Sequence, residues 1–562
     1  MLRTENGKHI YYYYMKHRYL LLIALMAISV FAVAAPLKNV EVRLTQPDGQ
    51  VIHCFASGDE FYNYLHDTQG FTIVQGEGGY YVYATKDAKG AVVPSSFVVG
   101  SVDPASVGLQ PNVKISKDEY YARRKDREQY IRKPVMRNGK ELNHGLYNNL
   151  VVFIRFAGDT YHSSSFSTVE AMFNADEYDA NSLHNYYHHT SYNQLDLWSH
   201  FFPQPDGETI LSYEDIHPKQ YYQPYDPVTN PIGYLPEETA EREFSMLERA
   251  INYVENMVPE DLDLDYNGDG MVDNVVFVIK GEPGEWSSLL WPHRWCIYDR
   301  YVPLHDLQVF DFNLQLEQGG YFNVSTLCHE MFHSLSAPDL YHYSDGIDPV
   351  GPWDLMCGTT EPPQQTSTYM KYKYGNWVQE IPVINPYIDP FEETYSLESV
   401  SWEGGRRNGY LININDPDQF FFVEYRDKRN VFESKIPGSG LLIYRIDTRF
   451  DGNAGWNGND VLDEVYLFRP GGDETHAGDL DQANFCEEMG RTVFNAFTSD
   501  PQPFLNQQTD PFFDWNEQIS NISKTGDRMS FDIRPYEGQG SGPIVENFTA
   551  HVNQAEHQVK TI

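Results

Sequence analysis

The chain has 562 residues and a formal net charge of −39, with 80 Asp and Glu residues against 41 Lys and Arg residues. This acidity excludes the positive surfaces that nucleic acids and anionic lipids require, and it serves either solubility or the binding of hard cations such as calcium. The hydrophobic fraction of 41% indicates folded structure, and the length predicts two to four domains.

Residues 1–35 predict an export signal. Basic residues precede an apolar run from Leu20 to Ala35, which ends in small residues. This pattern is typical of a secretory signal peptide, with Met15 as the true start. The alternative is a membrane anchor, but a span needs about 20 apolar residues, more than this run has. We therefore expect a secreted, extracellular protein with no membrane association after the signal is removed.

Residues 36–144 predict a small β-rich propeptide. Apolar runs separated by turn residues predict strands near 40–43, 51–55, 71–74, 80–83 and 92–99. A short helix is predicted from Gly58 to Leu65. From Lys114 to Lys140 the charge becomes basic, as expected either for a solvated helix of mixed charge or for an exposed connector cut by an activating protease. We favour the connector because a catalytic motif follows it.

Residues 145–380 predict a mixed helix and sheet domain. Buried strands are expected at 150–156 and 275–279, and helical periodicity is present within 165–192 and 236–256. Elements of both kinds indicate an α/β or α+β layer domain, which we assign as the α+β catalytic domain.

A calcium-type loop precedes the second of these strands. Asp265, Asn267, Asp269 and Asp273 place oxygen atoms at alternating positions, and a glycine stands at the sixth position for a sharp turn. Valine replaces the glutamate that an EF-hand needs at position twelve, so an EF-hand is excluded. The loop is either a structural calcium site or a plain polar turn.

The strongest chemical signal is the H-E-x-x-H sequence of His329, Glu330 and His333, followed by Asp339. Residues four apart lie on one face of a helix, so the two imidazoles can bind a common zinc ion. Glu330 is placed to take a proton from a zinc-activated water.

A tight turn with Met356 in Trp353-Asp354-Leu355-Met356 follows the helix. The combination resembles the metzincin pattern and, within it, the immune inhibitor A family of secreted bacterial metallopeptidases. Segments 265–278, 291–293 and 437–447 are similar to the same family, and the resemblance covers residues 36–535.

The resemblance implies a role for each residue of the motif. His329, His333 and Asp339 would hold the catalytic Zn²⁺, and Glu330 would be the general base and proton shuttle. Met356 would form a hydrophobic floor beneath the metal without ligating it. Three protein ligands leave a position for water, as catalytic zinc requires.

One position departs from the metzincin pattern. Ser336 stands where a glycine usually allows the chain to turn towards the third ligand. Either Ser336 tolerates that geometry, or the third ligand lies elsewhere, with Glu361 as the next candidate.

Other residues near the motif have less specific roles. A hydrogen-bond donor must stabilise the transition state, and the candidates are Tyr341, His342, Tyr343 and Tyr369. Cys328 and Cys357 either form a disulfide or pack as small hydrophobic side chains.

Residues 381–535 predict a β-rich companion domain, in which strand-like runs indicate a sandwich. The loop from Asp451 to Asp463 is either a second calcium site or, as we favour, a polar loop. Residues 536–562 predict a flexible linker and the incomplete start of a further β module.

Two functions are compatible with these patterns. The first is a secreted zinc endopeptidase acting on proteins or peptides and made as a zymogen, with Cys54, Asp59 or His53 of the leader as a ligand that blocks the zinc; Cys54 is otherwise buried in a strand. The alternative is an exported, calcium-stabilised binding or adhesion protein with an inactive peptidase fold.

Overall fold

The computed structural model describes residues 37–59, 61–131, 143–281, 289–318, 322–342, 348–388, 394–401, 407–453, 463–473, 476–496, 498, 515, 517–536, 550–553 and 558–561. The predicted signal at 1–35, part of the basic run, Tyr343 and most of the 451–463 loop and 536–562 tail lie outside these residues. No helix in the described ranges is both long enough and apolar enough to cross a membrane.

The N-terminal segment of residues 37–131, called the leader below, contains a six-stranded antiparallel meander with its own buried core. Its strands are β1 (Leu37–Thr45), β2 (Val51–Gly58), β3 (Asn63–His66), β4 (Thr72–Gln75), β5 (Tyr81–Lys86) and β6 (Val92–Val98). The five predicted strands are confirmed. The helix predicted from Gly58 to Leu65 is wrong, because β3 occupies its second half. The Asp59 carboxylate accepts the N–H groups of Phe61 and Tyr62, which turns the chain directly into that strand.

The basic run begins with a helix, α1 (Lys117–Glu128). The Ser116 hydroxyl accepts the Glu119 N–H at 3.1 Å and caps the helix. Ion pairs between Glu119 and Arg123 and between Arg124 and Glu128 join successive turns. The first part of the basic run is therefore a helix of mixed charge, which is one of the two alternatives considered for the run.

The central layer is a mostly parallel sheet. The next strands are β7 (Gly145–Arg155), β8 (Leu195–Phe202), β9 (Tyr213–Glu214), β10 (Val275–Ile279), β11 (His293–Cys296), β12 (Val302–Leu304), β13 (Leu307–Val309) and β14 (Asp311–Leu316). The sheet order is β11-β14-β10-β7-β8, with β9 also paired to β7 and β12-β13 as a separate hairpin. Only β11, at one edge, is antiparallel to its neighbour in this sheet.

Helices cover both faces of this sheet, because its central strands are apolar on both sides. They are α2 (Phe166–Asn174), α3 (Leu183–Thr190), α4 (Thr239–Val254), α5 (Val324–Ser334) and α6 (Thr368–Lys373). Val151 and Phe153 of β7 share a core with α2, α3, α5 and α6, whereas Val152 and Ile154 share another with α4. The predicted helices and strands of this segment are confirmed.

Short 3₁₀ helices punctuate the connections of the chain. They are Glu77–Gly79, Ala105–Val107, Lys219–Tyr222, Pro236–Glu238, Glu255–Met257, Gly351–Trp353, Val431–Glu433, Leu480–Gln482 and Glu487–Met489. Pro236 stands in the first turn before α4, as its fixed φ favours.

The C-terminal part contains two sheets packed face to face. Its strands are β15 (Val383–Ile384), β16 (Thr394–Glu398), β17 (Gly409–Asn413), β18 (Gln419–Arg426), β19 (Gly440–Asp447), β20 (Val465–Leu467), β21 (Phe494–Asn495), β22 (Glu517–Ser520) and β23 (Arg528–Pro535). One sheet has the order β15-β17-β18-β19-β20 and the other β16-β23-β22-β21. Apolar side chains of both, including Phe421 and Phe531, form one core.

The first of these sheets also packs on the central layer. Phe420 and Phe422 of β18 belong to the core that contains α5, while Phe421 and Val423 face the second sheet. The buried core thus continues across the predicted boundary at residue 380, and the boundary itself stays a prediction. The α+β, metzincin-like assignment also stays a prediction.

The last described strands, β24 (Ala550–Asn553) and β25 (Gln558–Thr561), form an antiparallel pair.

Candidate metal centre

Helix α5 carries the H-E-x-x-H residues and is capped at its N-terminus. The Asn323 side chain accepts the Thr326 N–H at 2.9 Å. The Glu361 carboxylate accepts the N–H and the hydroxyl of Ser325 at 3.1 and 2.7 Å. Glu361 is not among the ligand atoms that converge with His329 and His333 in the described residues, so Glu361 as the third metal ligand is wrong. Glu361 instead places negative charge at the positive end of the helix.

The chain reverses after α5 through a left-handed residue. Ser336 has a φ of +85°. Its N–H donates to the His333 carbonyl and the Ala337 N–H donates to the Phe332 carbonyl, each at 2.9 Å. These bonds form a Schellman motif, which closes the helix. Ser336 therefore makes the turn that glycine usually makes, at a strain of about 1–2 kcal/mol, which is the first of the two alternatives considered for this position.

The turn brings Asp339 to the two histidines. Asp339 Oδ1 lies 3.2 Å from His329 Nε2 and 3.3 Å from His333 Nε2. The two Nε2 atoms are 3.1 Å apart. His329 is 0% exposed and Asp339 5%. The three atoms form a small triangle in a largely buried pocket.

The remaining ring nitrogens fix the orientation of both imidazoles. His329 Nδ1 lies 3.1 Å from the Leu355 carbonyl oxygen, and His333 Nδ1 lies 2.8 Å from that of Ala337. A neutral imidazole that donates from Nδ1 presents its Nε2 lone pair to the pocket. This is the outer support that metal-binding histidines usually have.

The donor set fits zinc. Tetrahedral ligands at about 2.0–2.1 Å from Zn²⁺ lie about 3.3 Å from one another, which is close to the three distances of this site. Burial raises the pKa of Asp339, but the charges and hydrogen bonds of His333 and His329 lower it further, so the net pKa lies below its ordinary value. A carboxylate is the form of an aspartate that binds metal.

Glu330 and Met356 are both buried, and their predicted roles at a metal stay predictions. Glu330 is 2% exposed and follows His329 on α5. Met356 is fully buried in the same core, and its carbonyl accepts the Leu340 N–H at 2.7 Å. Because the Leu355 carbonyl also bonds His329, this turn supports both the helix and the segment of the third ligand. Its role as a floor beneath a metal stays a prediction.

The candidate stabilising tyrosines differ in position. The Tyr341 ring is fully buried, with its centroid 6.5 Å from that of His329. The Tyr369 hydroxyl donates to Glu464 at 2.8 Å, inside a buried cluster with Lys373. Of the two described candidate tyrosines, Tyr341 lies near a histidine, whereas the Tyr369 hydroxyl is bound to Glu464. Tyr343 lies outside the described residues.

A support for Asp339 was missed in the sequence. The Asn453 N–H donates to the Asp339 carbonyl at 2.9 Å, and its side-chain amide donates to the Leu340 carbonyl at 3.0 Å. Gly452 has φ +82°, and a Cβ there would lie 2.8 Å from the Asp339 carbonyl oxygen. The buried Glu464 accepts the Gly452 N–H at 2.5 Å. The start of the predicted polar loop thus holds the third-ligand segment, and its composition gave no signal of this role.

The calcium-type loop is compact and strongly acidic. Asp265 accepts the N–H groups of Asp269 and Gly270, and Asp273 accepts that of Tyr266. Burial, and after it the charges of Asp265 and Asp269, raises the pKa of Asp273 to about 8. Two groups of three His, Cys, Asp or Glu ligand atoms converge in the described residues, and neither includes this loop. Calcium binding here stays a prediction.

The cysteines do not serve the metal. Cys54 is 2% exposed in the leader core, its thiol lies 3.7 Å from the Val42 carbonyl, and burial raises its pKa to about 12. The Cys54 thiol is not among the ligand atoms that converge with His329 and His333 in the described residues, so the prediction that Cys54 blocks the zinc is wrong. Asp59 bonds within the leader and His53 is exposed. Cys328 and Cys357 are buried and not disulfide-bonded, which confirms the packing alternative.

Comparison with known proteins adds little. No profile of a known protein family and no curated protein matches the chain. Among solved structures, the chain is similar to the crystal structure of metalloproteinase-II from Bacteroides fragilis, with 11% sequence identity and a TM-score of 0.20; the alignment covers 60% of this chain and 87% of that one. A TM-score this low does not establish a shared fold, and the finding is a weak similarity to a metalloproteinase.

Proposed function

We propose that the chain is a zinc-dependent endopeptidase that hydrolyses peptide bonds in proteins or peptides. The observation that carries this proposal is the convergence of His329 Nε2, His333 Nε2 and Asp339 Oδ1 at mutual distances of 3.1–3.3 Å. A buried carboxylate, Glu330, follows the first of them on the same helix. Three ligands with an adjacent base are the donor set of a hydrolytic zinc site.

Each residue then has a defined task. A bound zinc ion supplies a Lewis acid that polarises the scissile carbonyl and acidifies the attacking water. His329 and His333 present Nε2 because carbonyl oxygens hold their Nδ1 sides, and Asp339 supplies the negative charge. Glu330 accepts the proton of the attacking water and donates it to the leaving amine nitrogen.

The direct test measures zinc content and casein cleavage of the protein after limited trypsin treatment. We expect one zinc ion at α5, and we expect Glu330→Ala to keep that ion while losing about 10²–10⁴-fold in rate. Glu237→Ala, at an exposed position before α4, is the matched control and should cleave like the wild type.

The opposite result is equally clear. A trypsin-treated protein that holds no zinc at α5 and cleaves nothing contradicts the enzyme proposal. It would favour the alternative, an exported calcium-stabilised binding or adhesion protein with an inactive peptidase fold.

We also propose that the enzyme is made as a zymogen, with a leader that docks on the edge strand β11. The Arg127 guanidinium lies over the Trp295 ring at 4.0 Å, and the Trp295 indole N–H donates to the Arg127 carbonyl at 3.3 Å. Tyr130 stacks on Tyr298 with centroids 3.6 Å apart. These contacts support a leader that stays bound until it is cut.

The same segment is anchored again at residue 143. The Asn143 side chain donates to the carbonyls of Leu335 and Tyr374 at 3.1 and 3.0 Å, and its own carbonyl accepts the Trp377 indole N–H. Arg132, Lys133, Arg137 and Lys140 fall between the two anchors, outside the described residues. We place the cut of the activating protease in this interval, because α1 is hydrogen-bonded and a poor protease substrate.

Two variants test the docking. Tyr130→Ala should weaken the leader and allow casein cleavage before trypsin treatment, whereas Tyr161→Ala, an exposed tyrosine of the 157–165 loop, should not. N-terminal sequencing of the activated chain should find its first residue between 132 and 143. A first residue upstream of 117 would contradict the proposed interval.

Export and calcium binding complete the proposal. If residues 1–35 are an export signal, the protein collected outside the cell lacks them, as mass spectrometry can show.

If Asp265, Asn267, Asp269 and Asp273 hold Ca²⁺, the ion relieves the repulsion of their charges and raises the unfolding temperature. Asp269→Asn should reduce that rise, and the exposed Asp261→Asn should not. Equal responses of both variants would contradict a site in this loop.

A further inference from the structure

A second pair of histidines lies on α3, in a group of ligand atoms separate from that of the proposed peptidase site. His184 and His188 are four residues apart on this helix, and their rings are nearly parallel, with centroids 5.9 Å apart. Asp196, the second residue of β8, places Oδ1 2.7 Å from His188 Nδ1. One ligand atom from each of the three residues lies within 4.8 Å of those of the other two.

His184 is held in a fixed orientation. Its Nδ1 lies 3.1 Å from the Leu197 carbonyl oxygen, and its ring packs on Trp198 with centroids 4.1 Å apart. An imidazole that donates from Nδ1 leaves the Nε2 lone pair for another partner. His184 is 6% exposed, so this nitrogen is preorganised by the packing of α3 against the edge strand.

The other two residues give access from solvent. The side chains of His188 and Asp196 are 37% and 47% exposed. An ion can therefore enter without opening the core, and water can complete its coordination. Two imidazoles and one carboxylate suit zinc, copper or nickel, whereas calcium and magnesium prefer oxygen ligands.

We propose that His184, His188 and Asp196 form a second binding site for a divalent transition-metal ion, with Zn²⁺ as the expected occupant. The ion would join α3 to β8 and replace the direct contact between His188 and Asp196. The residue after His184 is Asn185, whose side-chain amide donates to the carbonyls of Glu177, Tyr178 and Ala180. No carboxylate stands where Glu330 stands on α5, so the site binds an ion without providing a base.

Variants of the full chain locate the ion. We expect zinc-saturated protein to hold one ion that is lost in His188→Ala or Asp196→Ala and retained in His329→Ala. Zn²⁺ should raise the unfolding temperature of His329→Ala, and this rise should vanish in His329→Ala/His188→Ala. Co²⁺ absorption in the visible range, titrated into both proteins, reports binding independently of stability.

His476→Ala is the matched control, because His476 is also paired with an aspartate and its side chain is 71% exposed. It should leave the metal content unchanged. If no bound Zn²⁺ or Co²⁺ responds to His188→Ala or Asp196→Ala, the second site is overturned. Failure of the proposed peptidase site is a different result, in which no bound ion responds to His329→Ala.

Discussion

Helices α3 and α5 each place two histidines one turn apart, and each pair meets an aspartate from a later segment. In the α5 site, His329, His333 and Asp339 are all largely buried. Both imidazoles donate from Nδ1 to backbone carbonyls. On α3 only His184 has such support, because His188 turns its Nδ1 to Asp196 near the solvent. The same spacing thus supports a preorganised site in one helix and an accessible, less constrained one in the other.

The two aspartates also differ in how the backbone holds them. Asp196 follows α3 closely in sequence and lies on an edge strand. Asp339 lies on an irregular segment that follows the left-handed turn at Ser336. This segment is held by the Met356 carbonyl and by the hydrogen bonds of Asn453, which we call the Asn453 clamp. A buried ligand set without regular structure requires more supporting contacts than an exposed one on a strand.

The largest effect is expected from removing the aspartates themselves. Asp339→Ala should weaken zinc binding at α5 on the order of 100-fold or more and abolish casein cleavage, because a ligand matters more than its outer partners. Asp196→Ala should leave cleavage unchanged. Zinc affinity by competition with a chelating dye and casein turnover measure both. Equal activity of wild type and Asp339→Ala would contradict Asp339 as a ligand.

A smaller effect is expected from the clamp on Asp339. Asn453→Ala removes the amide that bonds Leu340 and Val465 and should weaken zinc binding at α5 about tenfold, without changing the ion on α3. Asn484→Ala, which removes a buried asparagine bonded to Ser439, is the matched control. Both variants should lose stability, and only the first should lose zinc affinity. A similar loss of zinc in both would make the effect a general one.

The N-terminus of α5 provides an effect on stability alone. Glu361→Gln should lower the free energy of unfolding by about 1–2 kcal/mol, because it removes the charge that accepts the Ser325 N–H and hydroxyl. Zinc affinity should stay at the wild-type value, since Glu361 is not among the ligand atoms that converge with His329 and His333. Chemical denaturation and dye competition test the two statements separately, and a loss of zinc in Glu361→Gln would return Glu361 to the ligand set.

The smallest effect is expected at Ser336. Ser336→Gly should relieve about 1–2 kcal/mol of left-handed strain and lose about 0.5–1 kcal/mol through extra freedom of the unfolded chain. The expected net gain is about 0.5 kcal/mol, measured by denaturation. Ser336→Ala keeps the strain and should give no gain. A destabilised Ser336→Gly would mean that the serine side chain has a role beyond the turn.

The α5 histidines were predictable because the helical repeat alone brings residues four apart together. Asp339 was predictable from its distance to the motif, but Ser336 obscured it, since a sequence does not show whether a serine adopts a positive φ. The α3 site was missed because its aspartate comes from a neighbouring strand. Asn453 was missed for the same reason at a greater separation, 113 residues from Leu340.

The errors have similar causes. Cys54 was considered as a zinc ligand from its chemistry alone, whereas the alternation of β2 points it into the leader core. The strands and helices were predicted well because their periodicity is local. The position of Glu361 depends on its hydrogen bonds to Ser325, 36 residues away, and no local sequence pattern predicts such a contact.

The clamp at Asn453 has a consequence in time. A ribosome makes the histidines and Asp339 long before it makes residue 453, and the N-terminal part of a chain folds first. The segment of the third ligand acquires the Asn453 N–H as a backbone partner only when the β19–β20 connection has emerged. If the chain is the proposed peptidase, its third zinc ligand therefore lacks this support until residue 453 has been made.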